Sequence, residues 1–353
     1  DRSPVEVQVG LRVTDDTDRN ASLRVVGFQD VVIVPALVGV LGDFGEIKQV
    51  GEAAAASTLH SDSQADLLGI QLSRTHGAVE LRQTAYMEKL AAEFFPDGVP
   101  PTAQANKVPC DRDLPALVHM ALLDGATPEP QLLRRYQSIC GALLYASTNT
   151  RPDIAFATGM LCRAMGRPTP ELFQAALRVL GYLYRNRHIG LRYETANDAS
   201  LEGFSDSDWA VKYSVSGAVF EVMGCAVHWY SKVQRSVSMS STEAEWFAAM
   251  MAAREGMYLR DLLTELGVSL LGATAIRSDN KSVKELSLDS IAFKKTKHIL
   301  RAAHFLRDLC DRQFYSVIWI AGTQNPADLF TKVHDLATFR AYVSLLDRLD
   351  GIV

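Results

Sequence analysis

The chain has 353 residues, a formal net charge of −5, 48% hydrophobic residues and 22% charged residues. Those figures predict a packed core and about two or three domains, and they exclude global disorder. The acidic balance also excludes a general nucleic-acid coat, so any basic surface has to be local.

Local basic tracts exist. Residues 131–192 hold nine arginines against Asp153 and Glu171, and residues 281–312 hold eight Lys/Arg against four acids. The five cysteines (Cys110, Cys140, Cys162, Cys225, Cys310) are far apart without a C-x-x-C pair. They read as reduced intracellular thiols, not as a disulfide framework or a zinc site. No apolar run reaches membrane-spanning length and no signal peptide is visible, so the expected location is intracellular, cytoplasmic or nuclear. The first residue is Asp1, as expected of a fragment or processed product.

In chain order, residues 1–22 are polar and uninformative, and Arg24 to Val34 is strand-like. Residues 31–40 are apolar but short and broken by Pro35, which fits a buried strand. Leu67 to Leu72 and Ala78 to Leu81 read as strands around the turn His76-Gly77. Gln83 to Phe95 carries Tyr86, Met87, Leu90, Ala91 and Phe94 at helical spacing. Pro96 to Pro109 is a proline-rich connector and a candidate boundary. Leu132 to Arg187 is helical, with a restart at Thr150-Arg151-Pro152-Asp153 and an amphipathic helix from Phe173 to Arg185.

From Leu201 the texture changes. Strands are predicted near 201–206, 216–223 and 225–231, then a long helix at 241–265. A strand at 274–279, helices at 281–288 and 296–312, a strand at 314–320 and a short helix at 325–331 follow. The order β-β-β-α-β-α-α-β-α predicts an α/β fold, a mixed sheet with helices on its faces.

Four acids sit at ends of strand-like runs or starts of helical ones: Asp206, Glu245, Asp279 and Asp328. Carboxylates brought together in that way hold hard divalent cations, and paired cations cut phosphodiesters. Each also has a plainer reading. Asp206 suits an exposed turn, Asp279 with Asn280 suits a helix cap, and Asp328 suits a helix-dipole role after Asn325 and Pro326. Glu243 and Glu245 both fit a capping box with Ser240 or Thr242. Asp208 reads as solvent-facing, and Trp209, Trp229, Trp246 and Trp319 read as core.

The motifs taken together resemble a known family. They are Tyr136-Gln137-Ser138-Ile139-Cys140-Gly141-Ala142-Leu143-Leu144-Tyr145, Thr150-Arg151-Pro152-Asp153-Ile154-Ala155 and Phe204-Ser205-Asp206-Ser207-Asp208-Trp209-Ala210. Ser240-Ser241-Thr242-Glu243-Ala244-Glu245, Ser278-Asp279-Asn280, Thr296-Lys297-His298-Ile299 and Ala327-Asp328-Leu329-Phe330-Thr331-Lys332 follow. In this order they resemble the C-terminal part of the Pol polyprotein of Ty1/copia-type LTR retrotransposons, from about Ser22 to Val333.

The resemblance implies a reverse transcriptase C-terminal remnant (partial palm and thumb, α+β) at 1–110 and a helical connection at 111–198. It implies an RNase H-like domain, with a mixed five-stranded sheet and flanking helices, at 199–335, and a C-terminal helical tail at 336–353. It also implies an RNA–DNA hybrid ribonuclease in which Asp206, Glu245, Asp279 and Asp328 hold two Mg2+ ions, with Mn2+ as a substitute. Glu245 is preferred over Glu243 because Glu245-Trp246-Phe247-Ala248 resembles the start of the family's catalytic helix.

Implied partners are the hybrid, other Pol or Gag products, or a second copy of the chain; no membrane is implied. For the hybrid backbone the candidate contacts are Arg151, Lys294, Lys295, Lys297 and His298, with Arg178, Arg185 and Arg187 extending the track. A solvated charge cluster is the plainer reading of the lysines. His298 and His304, six residues apart, do not share a helix face and are not a metal pair.

The chain also departs from the family. Phe28-Gln29-Asp30 stands where the polymerase turn carries two aspartates, so DNA synthesis by this chain is not expected. The stretch from Trp209 to Gly217 is short, and Lys281 replaces the usual Gln after Asn280. These departures keep an alternative open, a catalytically silent nucleic-acid-binding or assembly module.

Overall fold

The computed structural model describes residues 64–75, 78–125, 127–194, 200–209, 214–222, 224–265, 268, 270, 272–288 and 300–346. The strand expected at 31–40, Phe28-Gln29-Asp30, Lys294, Lys295, Lys297 and His298 lie outside the described residues, as does the turn expected at His76-Gly77.

The first sheet is antiparallel. It comprises β1 (Gln64–Leu67), β2 (Ile70–Thr75), β3 (Ala78–Arg82) and β4 (Leu191–Glu194), in that order. Leu67 pairs with Ile70, so Leu68 and Gly69 alone make the β1–β2 turn, and both have positive φ (54° and 81°). Gly69 takes that conformation freely, and its N–H donates to Asp66 Oδ1 at 3.0 Å.

Between β3 and β4 run the helices α1 (Thr84–Phe94), α2 (Pro101–Gln104), α3 (Leu114–Leu123), α4 (Pro130–Asn149), α5 (Ala155–Arg163) and α6 (Pro170–Arg185). Helix α6 starts as its residues dictate. Thr169 accepts from Leu172 N, Pro170 supplies the fixed φ of the first turn, and Glu171 and Arg185 suit the two ends of the dipole. Its buried stripe of Leu172, Phe173, Ala176, Val179, Leu180 and Leu183 packs against α1, α4 and α5. Because β4 pairs with β3, the connector Pro96–Pro109 sits inside this unit and not at its edge.

Arg151 is fully buried, which corrects its assignment to the hybrid backbone. Its Nε and Nη2 donate to Asp153 Oδ1 and Oδ2 at 2.9 and 2.6 Å, and Nη1 donates to the Asn186 carbonyl at 3.0 Å. Tyr182 O–H adds a 2.6 Å bond to Asp153 Oδ2. The guanidinium thus ties the 3-10 turn Pro152–Ile154 to the end of α6 and reaches no solvent. The other arginines named with it also have internal partners. Arg178 pairs with Asp111 at 2.9 Å, Arg185 donates to Gln104 O at 3.0 Å, and Arg187 pairs with Glu88 at 3.0 Å.

The second sheet has the order β7-β6-β5-β8-β9. Strands β5 (Leu201–Asp208), β6 (Val215–Val222) and β7 (Cys225–Val233) form an antiparallel meander. Helix α7 (Ser241–Glu265) crosses to β8 (Thr274–Ser278), which is parallel to β5. Helices α8 (Lys281–Leu288) and α9 (Leu300–Asp311) lead to β9 (Tyr315–Trp319), parallel to β8. A 3-10 segment (Pro326–Phe330) and α10 (Leu336–Leu345) close the described chain. A five-stranded mixed sheet of this order, with helices packed on it, is an RNase H-like α/β fold.

The two sheets share one continuous apolar core. Trp229 Nε1 donates to Ser147 O at 2.8 Å, Tyr193 O–H donates to Ala226 O at 2.9 Å, and Phe339 of α10 meets the Tyr182 ring edge-on. No helix among the described residues is long and apolar enough to cross a membrane.

Arg151→Met leaves Asp153 charged in the core, so urea unfolding should show a loss of about 3–5 kcal/mol. A loss below about 1 kcal/mol, the scale of exposed pairs, would contradict the burial of this pair.

Candidate metal centre

The central strands β5 and β8 lie side by side and parallel, and the site forms at their carboxyl ends. Asp206 lies near the end of β5, and Asp279 directly follows β8. Glu245 is in the opening turns of α7, which packs across β5. Carboxylate oxygens of Asp206, Glu245 and Asp279 all lie within 4.8 Å of one another.

Several neighbours fix this arrangement. Glu243 is committed to the start of α7. Its N–H donates to Ser240 Oγ at 3.2 Å, and its Oε2 accepts from Met239 N at 2.6 Å. That leaves Glu245, two residues on, to face the sheet. Trp319 Nε1 donates to the Asp279 carbonyl at 2.8 Å and holds the end of β8 to the end of β9.

The 3-10 segment brings in Asp328. Asn325 caps it, accepting from Ala327 N at 3.2 Å, and donates from Nδ2 to the Ser205 carbonyl at 3.0 Å. Gly217, which pairs with Asp206, makes room for it: a Cβ there would stand 2.7 Å from Phe330 Cβ and 2.9 Å from Ala327 O. Thr331 O–H donates to Asp206 Oδ2. Asp328 therefore stands beside the cluster, but it faces basic groups. Lys332 Nζ contacts Asp328 Oδ1 and lies 3.5 Å from Asp206 Oδ2, and His334 Nε2 lies 3.6 Å from Asp328 Oδ2.

Burial and mutual repulsion disfavour ionisation of this group. Burial pushes the Glu245 carboxyl up to about 9, and the Asp206 and Asp279 charges add to the rise. Burial pushes Asp206 up to about 7, with Lys332 pulling down and Asp328 pushing up. Asp279 is raised as well, first by burial. Burial alone would lower Lys332, but Asp206 and Asp328 outweigh it and hold the ammonium above the ordinary lysine range.

Glu245 Oε2 is buried without a hydrogen-bond partner. Clustered oxygen donors, like-charge repulsion and an orphaned buried oxygen together fit a hard divalent cation.

The sequence-predicted residues separate accordingly. Asp206, Glu245 and Asp279 converge, Asp328 adjoins them, and Glu243 does not join. Asp208 is half-buried, not solvent-facing, and burial raises its carboxyl against the pull of Lys332. Trp246 and Trp229 are core, but Trp209 and Trp319 are 50% and 40% exposed, which corrects the expectation for those two. Their indole N–H groups donate to the carbonyls of Ser238 and Asp279. Lys281 lies over the Trp319 ring, 5.1 Å from its centroid. His304 is exposed on α9. Thr331 and Lys332 had no role in the sequence reading; the available signal was the i, i+4 spacing of Asp328 and Lys332.

The sheet order and its flanking helices define an RNase H-like α/β module. The chain is 30% identical over 324 residues to the retrovirus-related Pol polyprotein from transposon TNT 1-94 of Nicotiana tabacum, covering 88% of this chain and 22% of that protein. It is 29% identical over 282 residues to the Pol polyprotein from transposon RE1 of Arabidopsis thaliana, covering 78% of this chain and 18% of that one. The chain belongs to the Pol polyprotein family of copia-type transposons, and it spans about a fifth of the length of these relatives. Among solved structures, the N-terminal RNase H domain of rv2228c from Mycobacterium tuberculosis aligns with a TM-score of 0.30 at 15% identity, over 42% of this chain and 98% of that one. No protein-family model matches the chain.

The raised carboxyls set a pH dependence. They hold protons in the folded state that the unfolded chain has released, so their contribution is complete below about pH 4. It is lost as pH rises through about 7 for Asp206 and about 9 for Glu245. In EDTA the melting temperature should therefore fall between about pH 5 and about pH 9, and Glu245→Gln should flatten the fall. A flat wild-type profile would contradict the burial of these carboxyls.

Proposed function

We propose that this chain is an RNase H-type nuclease that hydrolyses the RNA strand of RNA–DNA hybrids with divalent cations. The observation that carries the reading is the convergence of Asp206, Glu245 and Asp279 within 4.8 Å, with a buried Glu245 oxygen left unpaired. These three residues would hold the cations, Mg2+ or Mn2+, with Asp328 completing the set. Held by these four carboxyl groups, a pair of divalent ions would supply the Lewis acidity for water activation and for charge stabilisation at the phosphodiester.

The chain's own residues supply the rest. Gly217 and Asn325 seat the 3-10 segment so that Asp328 borders the pocket. The Thr331 hydroxyl orients Asp206, and the Glu243 cap fixes the rotation of α7 that presents Glu245. Trp209, beside Asp208, and Trp319, bonded to the Asp279 carbonyl, are partly exposed and would be available to a bound duplex.

On this reading residues 199–335 are catalytic. Residues 1–110 are a reverse transcriptase remnant and 111–198 a helical connection; their described parts form one support because β4 completes the sheet of β3. A second reading, the silent binding or assembly module, is favoured by one observation, the Lys332 ammonium inside the carboxylate group.

Purified protein should cleave the RNA strand of an end-labelled hybrid in Mg2+ and leave single-stranded RNA intact. Asp279→Asn should reduce cleavage by about a hundredfold or more, as expected for loss of a charge ligand, with melting unchanged or raised. No cleavage above a buffer control would support the silent module, and an unaffected Asp279→Asn rate would mean that the site lies elsewhere.

A further inference from the structure

Lys332 is a positive charge already within the pocket. Its Nζ contacts Asp328 Oδ1 and lies 3.5 Å from Asp206 Oδ2. The backbone fixes this position. Thr331, the residue before it, binds both Asp206 and the Asp328 carbonyl, and the 3-10 segment is held to β5 by Asn325 and to β6 by the space at Gly217. The head group is nonetheless free to leave, because the Lys332 side chain is 38% exposed. Among the described residues, ion pairs give Asp206 and Asp328 this shared lysine, and give Glu245 and Asp279 no lysine or arginine.

The four carboxyl groups thus fall into two halves. Asp206, Glu245 and Asp279 face one another, and among the described ion pairs Lys332 reaches them at Asp206 Oδ2, at 3.5 Å. Asp328 spends one oxygen on Lys332. A cation that shares Asp328 meets a like charge already in place, and two cations at such short range repel strongly in a partly buried site.

We propose that Lys332 controls the loading of the second divalent cation. The first ion binds Asp206, Glu245 and Asp279, and the second gains Asp328 only by displacing the Lys332 ammonium to solvent. Negative charge brought by a substrate phosphate favours that exchange, so the second ion loads with the substrate. This inference rests on the nuclease reading above.

The test is equilibrium Mn2+ binding to the full chain without nucleic acid, with free ion counted by electron paramagnetic resonance. Wild type should bind one ion tightly, with the second at least about tenfold weaker, the scale of one charge coupling at a half-exposed pair. Lys332→Met should tighten the second ion about tenfold or more and tighten the first, whose ligand Asp206 lies 3.5 Å from Nζ, by a smaller factor. Lys332→Arg, which keeps the charge, should not tighten it. Asp328→Asn should keep the first ion and lose the second, and it reads the same coupling if a lysine variant fails to fold.

An unchanged second-ion affinity in folded Lys332→Met, with the first ion still bound, overturns this proposal and leaves the nuclease reading standing. No ion bound by any of the folded proteins overturns both.

Discussion

Buried carboxyl groups that face one another repel, and this fold is arranged so that they cannot move apart. Asp206 is in a strand paired on both sides, Glu245 is on a helix whose start is locked by Glu243, and Asp279 is tied through its carbonyl to Trp319. Each anchor is a backbone or capping contact that leaves the carboxyl group itself unspent. Burial and proximity make joint ionisation of the group costly, a bound cation offsets that cost, and the fold's remaining stability has to hold the groups together.

The first sheet and its helices add stiffness to that frame. The Trp229 indole reaches a carbonyl of α4, Tyr193 reaches β7, and α10 places Phe339 on Tyr182. Tyr182 in turn bonds to Asp153, the partner of buried Arg151. A chain of specific contacts therefore runs from the ion pair in the helical layer to the helix that follows the metal-site segment. Packing of this kind keeps the 3-10 segment, and with it Asp328 and Lys332, at a set distance from β5.

Much of the fold was legible from periodicity and punctuation. The long helix at 241–265, the three strands before it and the strands near 274 and 315 follow from apolar spacing and helix starts. The positions of Asp206, Glu245 and Asp279 at element ends were equally readable, though only motif order linked them to one another. What sequence could not show was desolvation. Arg151 looks like surface charge because a lone sequence does not say that Asp153, Tyr182 and the Asn186 carbonyl close around it. Trp209 and Trp319 look like core because indoles usually are, yet each satisfies its N–H with one carbonyl and stays partly exposed. Lys332 was overlooked for a related reason: its role depends on Asp206, which is distant in sequence but adjacent in space.

The central claim is that Asp206, Glu245 and Asp279 form one cation site. Crystals grown with millimolar Mn2+, with anomalous scattering recorded at the manganese edge, test it directly. The account predicts an anomalous peak bridged by oxygens of these three residues. A well-ordered pocket without a peak there, or manganese bound only elsewhere on the chain, would contradict it.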